Sequence, residues 1–371
     1  MSDAFFPGDY RASRHDLLRR CAARGAQLEW HAHPTPGSDG RPVMTDIASF
    51  GRADARSVLI VVSGTHGVEG LCGAGVQHAL LESRLPDRLG SRVRLVLVHA
   101  LNPHGFLDLH RTDEQNVDLN RNFLAHTGEY PDDSVYAEVH PWLVPGDWDG
   151  PARAAADAAL ERYVATRGAA ALQAAISGGQ YTHADGLFYG GRAPTWSNRT
   201  WRRILRRQAA AATYLAVLDL HSGLGSRGAC ELISGARAGT AEFAAAQRFF
   251  GDVLVSPGVD STAPPAVGFM ASALAGTVPG VEAALVVAEF GTVPFDQVFA
   301  ALRFDNWVRA RAAHNTVLRA RVRSEMEAAF VGRDAAWQDA VAGRGLNICR
   351  RVLDVLAAAA DTPRPALEVT G

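Results

Sequence analysis

The sequence predicts an α/β fold: a mixed, largely parallel twisted sheet flanked by helices on both faces. Three observations carry that expectation. Short apolar runs rich in β-branched residues recur along the chain, as buried strands require. Helical patterns separate them, and strands alternating with helices build layered α/β sheets. Each run also ends in a polar or Gly-containing loop, and in such sheets ligands bind at the carboxyl ends of the strands.

Taken in order, residues 29–50 read as a hairpin, two extended stretches joined at PGSDGRP. The buried runs are Ser57–Ser63 (SVLIVVS), Val93–Ala100 (VRLVLVHA), Tyr214–Leu220 (YLAVLDL) and Ala284–Phe290 (ALVVAEF). They run into GTHGVEG, LNPHG, HSGLG and GTVP. Helices are expected over Gly73–Ser83, Pro151–Ser177, Ser197–Ala212, Thr240–Phe250 and Pro294–Phe330. The stretch from about Leu124 to Asn198 lacks a strand–helix series of its own. It reads as an insertion within a single catalytic domain spanning residues 1–371.

Bulk composition bounds the function. The chain has 371 residues, 47% hydrophobic and 20% charged, an ordinary mix for a well-cored protein. A formal net charge of −2 gives no reason to expect nucleic acid or an anionic membrane as partner. The first twenty residues lack the apolar core of a signal peptide, and no apolar run is long enough to span a membrane. Four cysteines (Cys21, Cys72, Cys230, Cys349) lie scattered without a CxxC spacing and read as reduced thiols. The expectation is a cytoplasmic protein; oligomeric state is left open.

Chemistry-bearing residues gather at the strand ends. His66 and Glu69 form an HxxE pair in SGTHGVEG, where Gly64, Gly67 and Gly70 let the backbone turn sharply. Imidazole and carboxylate are zinc ligands, and a catalytic zinc takes three of them from the protein. His221 in LDLHSGLG is the third candidate, with Asp219 on the same side of its strand to orient it. Of the remaining histidines, His15, His31, His33, His126, His140 and His314 read as surface residues. His99 and His104 are candidates to line the cleft, and His183 to touch substrate.

In NPHGFLDLHRTDEQNVDLNRNF, Arg111, Asn120 and Arg121 suit a bound carboxylate and a developing oxyanion, because guanidinium offers forked, charged donors. The plain alternative is a solvated loop whose arginines pair with Asp113, Glu114 and Asp118. Glu289 closes an apolar run, where a carboxylate is costly unless paired or used. Beside a metal it can take a proton from water and pass it to a leaving amine.

These motifs in this order (HGVEG, RTDEQNVDLNRNF, LDLHSG, AEFGT) resemble the zinc carboxypeptidase superfamily, which includes succinylglutamate desuccinylases and aspartoacylases. The resemblance spans about residues 57–292 and implies a three-layer α/β/α domain holding one zinc ion on His66, Glu69 and His221. It further implies Arg111 as the group steadying the oxyanion, Asn120 and Arg121 as the grip on a substrate carboxylate, and Glu289 as general base and acid. The pancreatic-type members carry a mobile tyrosine before that glutamate; STAPPAVGFMASALAGTVPG has none. Tyr181 or Tyr189 is the candidate replacement, with Tyr189 assigned to substrate binding. The expected partner is a small molecule or short peptide with a free carboxylate. Cleavage of short peptides and deacylation of N-acyl amino acids are the two enzymatic readings; a binding protein that retains the metal is the third. No GxSxG elbow, GxGxxG or Walker loop points to a serine hydrolase or nucleotide enzyme.

Overall fold

Uninterrupted apolar runs form the centre of the sheet. The computed structural model describes residues 5–252 and 254–361. Among these, the strands are Gln27–Ala32 (β1), Met44–Phe50 (β2), Ser57–Val62 (β3), Val93–His99 (β4), Tyr214–Gly223 (β5), Cys230–Ser234 (β6), Leu254–Val255 (β7) and Glu282–Gly291 (β8). They pair in one mixed sheet of order β1-β2-β4-β3-β5-β8-β6-β7. β4, β3, β5 and β8 are mutually parallel, β1 and β2 add an antiparallel hairpin at one edge, and β6 returns antiparallel to β8 at the other.

Period-two alternation gives each central strand two buried faces. Leu59, Val61, Leu95, Leu97, Leu218 and Val286 point to one core, while Val58, Ile60, Val96, Val98, Val217 and Leu285 point to the other. The helices in chain order are Tyr10–Ala23 (α1), Gly70–Glu82 (α2), Pro103–Asp108 (α3), Ser134–Leu143 (α4), Pro151–Arg167 (α5), Ala169–Ser177 (α6), Trp196–Gln208 (α7), Ala241–Phe250 (α8), Ala273–Thr277 (α9), Phe295–Arg311 (α10), Thr316–Phe330 (α11) and Ala335–Asp361 (α12). α2 and α12 cover the first face; α7 and α9 cover the second through Trp201, Ile204, Leu205 and Leu274. The architecture is therefore helix, sheet, helix. No described helix is long and apolar enough to cross a membrane.

Two expected helices are each broken in two. The Pro151–Ser177 pattern is interrupted at Gly168, whose φ of +88° leaves helical space and separates α5 from α6. The Pro294–Phe330 pattern stops at Arg311, and Asn315 caps a new helix by accepting the Leu318 N–H.

Residues 124–198 supply α4, α5, α6 and the first turn of α7, and the fully buried Asn122 binds this stretch near both its ends. Its Nδ2 donates to the carbonyls of Gly190 and Ala193, and its Oδ1 accepts from the Thr195 N–H and from Asn198 Nδ2. All four cysteines are free.

Candidate active site

The loop after β3 depends on a glycine at position 67. A Cβ there would stand 1.9 Å from the Gly105 carbonyl carbon and 2.2 Å from the Phe106 nitrogen, so backbone occupies the space a side chain needs. That close approach lets the Gly67 N–H donate to the Arg111 carbonyl and ties this loop to the one after β4. Thr65 adds a hydroxyl bond to Asp219 Oδ1 at 2.7 Å, which anchors the loop to β5. His66 and Glu69 are thereby buried between the two loops.

His221 meets them from β5. It stands in register with Glu289 on the neighbouring β8, so two in-register polar residues end adjacent parallel strands. His221 Nε2 donates to Asp219 Oδ2 at 2.7 Å, leaving Nδ1 2.9 Å from Glu69 Oε2. Glu69 Oε2 also accepts the Ser222 N–H. Burial alone would push the His221 ring down, but Asp219 and Glu69 outweigh it and hold it well above its ordinary value. Donor atoms of His66, Glu69 and His221 all lie within 4.8 Å of one another.

Two imidazoles and a carboxylate are a donor set that suits a divalent cation of zinc's class. The chain shows a second sign of fit. His66 Nδ1 is buried with no hydrogen-bond partner, 3.8 Å from Asp118 Oδ1, so the fold leaves the ring incompletely bonded. Burial, and then the charge of Arg111, keep that ring well below its ordinary pKa.

Around this centre the charges interlock. Arg111 Nε donates to Asp118 Oδ2 at 2.9 Å, its Nη1 reaches Glu69 Oε1 at 3.2 Å, and its Nη2 lies 2.8 Å from His66 Nε2. Asp118 is fully buried. Burial opposes its charge, yet the Arg111 guanidinium holds the carboxyl below the usual range. Glu289 lines the cleft and accepts the Leu224 N–H at Oε1 (3.0 Å). Burial, then the charge of Glu69, push the Glu289 carboxyl up to about 7.

The other expected substrate contacts divide. Asn120 lines the cleft and spends its Oδ1 on the Met270 N–H, so its Nδ2 remains for a ligand. Arg121 also lines the cleft, but it donates to the Ser177 and Asn120 carbonyls and stacks between Phe188 and Phe269. Tyr189 is not among the lining residues. Its carbonyl accepts the Asp118 N–H, while the adjacent Phe188 faces in over Arg111 and Arg121. Tyr181 is buried too, donating its hydroxyl to the Arg121 carbonyl. Sequence reasoning passed over Phe188, Ser177 and Phe269; GLFYGG held the aromatic pair but not which ring turns inward.

The histidine expectations need correcting. His99 is fully buried in the core between Ser13 and Ser63, with its pKa lowered to about 3 by burial. His104 and His33 are buried together, outside the cleft and beside Thr35. His140 and His183 stack on each other, also outside it.

The cleft encloses about 110 Å³. Its lining includes apolar Ile233, Val287, Phe295, Val298 and Leu302, and Gln173, Ser177 and Phe188 from residues 124–198. A larger depression of about 600 Å³ beside α9 contains none of the metal-site residues or Glu289.

Structures of similar fold include an aspartoacylase family protein from Mesorhizobium loti (16% identity, 77% of this chain and 66% of that one, TM-score 0.37). This chain thus spans a little under two thirds of that protein's length. Bovine thrombin-activatable fibrinolysis inhibitor is similar at 13% identity over 86% of this chain and 95% of that one, with a TM-score of 0.43. A metallo-carboxypeptidase from Burkholderia cenocepacia is similar at 11% identity over 93% and 69%, with a TM-score of 0.44. No curated protein matches the sequence. Residues 6–344 match the model of a family described as a protein of unknown function, DUF2817, and the chain belongs to that family.

Proposed function

We propose that this chain is a metal-dependent hydrolase, with zinc as the ion, that cleaves an amide bond beside a free carboxylate. One observation carries the reading: His66, Glu69 and His221 converge within 4.8 Å at strand ends, with Glu289 and Arg111 at the same point. A divalent cation supplies Lewis-acid polarisation and a more acidic water at such a site.

The chain's own groups divide the remaining work. Glu289, with its carboxyl raised to about 7, takes a proton from the attacking water at Oε2 and returns it to the leaving nitrogen. Arg111 keeps its charge against Asp118 and Glu69 and faces developing negative charge on the carbonyl oxygen. Asn120 Nδ2 and the buried Arg121 grip the substrate carboxylate; Arg121 has no carboxylate as a hydrogen-bond partner, and burial lowers its pKa. A cavity of about 110 Å³ lined by Gln173, Ser177 and Phe188 supports short substrates, dipeptides or N-acyl amino acids, over long polypeptides.

The test is hydrolysis of a panel of dipeptides and N-acyl amino acids, with and without chelator, alongside metal analysis. Turnover should require metal, and Glu289→Gln should lower kcat roughly 10²–10⁴-fold with metal content unchanged. Chelator-insensitive turnover, or full activity in Glu289→Gln, overturns the mechanism. Stoichiometric metal with no turnover on any substrate favours a binding protein instead.

A further inference from the structure

The residues 124–198 bring a second set of ligand-type side chains together, away from the cleft. His140 sits in the last turn of α4, and His183 and Asp185 lie in the loop between α6 and α7. The two imidazoles stack with centroids 4.0 Å apart and planes tilted 29°. His140 Nε2 is 3.3 Å from Asp185 Oδ1, and one donor atom from each of the three residues falls within 4.8 Å of the others. All three residues are half-buried, so a cation can reach them from solvent.

Their local bonding is incomplete in a way that suits a ligand. His140 Nδ1 is buried without a hydrogen-bond partner. The other histidine cluster differs. His33 and His104 contact each other and Thr35, with Glu114 beside His33, and so satisfy themselves.

We propose that His140, His183 and Asp185 form a second divalent-cation site of the zinc class, with water completing the coordination. The site staples the loop at Asp185 to α4. Three residues on, that loop delivers Phe188 to the cleft and the Tyr189 carbonyl to the Asp118 N–H. Arg311 and Asn306 on α10 hold the same loop through Asp185, so the cation adds a brace from the α4 side.

The proposal is independent of the hydrolase reading and is tested without activity. Full-length protein is stripped of metal and titrated with zinc, as wild type and as a His66→Ala/His221→Ala double variant that lacks the cleft ligands. The double variant should still bind about one zinc per chain and the wild type about two. Adding His183→Ala to the double variant should abolish that binding. Asp185→Asn should weaken it at least as much as the roughly 10–100-fold that loss of an outer partner costs. A folded double variant that binds no zinc, or binds it equally with and without His183, overturns the proposal. If circular dichroism shows the double variant unfolded, His183→Ala and Asp185→Asn are read in the wild-type background. A fall of about one zinc ion per chain supports the site, whatever the cleft itself holds, and an unchanged ratio overturns it.

Discussion

Asp118→Asn isolates the charge balance beneath the cleft. Asp118 is fully buried, accepting Arg111 Nε at 2.9 Å through Oδ2 and the Asn120 N–H at 2.9 Å through Oδ1. Asparagine keeps the shape and the Oδ1 acceptor, but it turns an amide N–H₂ toward a guanidinium N–H and deletes one charge. At an effective dielectric of about 20, unit charges some 3–4 Å apart attract by roughly 4–6 kcal/mol. Breaking a buried pair costs about 3–5 kcal/mol, because the remaining charge stays out of water. Arg111 retains Glu69 Oε1 at 3.2 Å, which places the expected loss at the lower end, about 3 kcal/mol. Urea unfolding measures this as a drop in midpoint at constant slope. On the proposed mechanism kcat/KM should also fall at least about tenfold, since Arg111 loses the partner that aims it. A stability loss under about 1 kcal/mol with unchanged kcat/KM would show that Glu69 alone positions Arg111, and the argument would fail.

Gly67→Ala forces a Cβ into the backbone of Gly105 and Phe106, so it should cost about 3 kcal/mol or more and empty the His66–Glu69–His221 site of zinc. Wild-type metal content and stability in that variant would refute the close-approach argument. Asp113 is buried, and burial, then Glu114, raise its carboxyl to about 7, so the folded state holds its proton more tightly than the unfolded chain. Its contribution is therefore complete below about pH 4 and is lost as pH rises through about 7, a change of about 4 kcal/mol at most. Asp113→Asn should flatten that dependence in denaturation curves taken at pH 5 and pH 8; an identical slope in both proteins contradicts it. Phe188→Ala removes the ring over Arg111 and Arg121 and widens the cleft, so KM should rise roughly tenfold while kcat changes less. A fall in kcat alone would place Phe188 in the chemistry rather than in binding.

The parts legible in the sequence were those fixed by local pattern. SVLIVVS, VRLVLVHA, YLAVLDL and ALVVAEF read as buried strands of a parallel or mixed sheet, and β3, β4, β5 and β8 are those strands. Strand ends then collected His66, Glu69, His221 and Glu289. What escaped depended on distant pairing. CELIS is polar at its start and becomes a strand because β8 offers it an antiparallel edge, with Ile233 opposite Val287. The charge of Arg111 was visible, but its division among Asp118, Glu69 and His66 requires the loops after β3 and β4 to meet. The choice between neighbouring aromatics was also hidden. Phe188 takes a φ of +52°, a left-handed conformation uncommon for a residue with a Cβ, and that local twist accompanies its turn inward while the Tyr189 backbone binds Asp118. His140 and His183 were read as separate side chains, one on the surface and one near substrate, because nothing local says that α4 brings them face to face.

Asn122 has a further consequence. One buried amide grips Gly190, Ala193, Thr195 and Asn198, so a long excursion of the chain departs from and returns to nearly the same point. Closing such an excursion costs free energy only as the logarithm of its length. The length of the stretch between is therefore a small part of the cost of closing it, and the bonds at Asn122 fix where the chain leaves and returns. Gln173, Ser177 and Phe188 belong to this excursion and His66, Glu69, His221 and Glu289 do not, yet the Tyr189 carbonyl holds the Asp118 N–H and the Ser177 carbonyl holds Arg121, so a change in the excursion is felt on the charged side of the cleft as well.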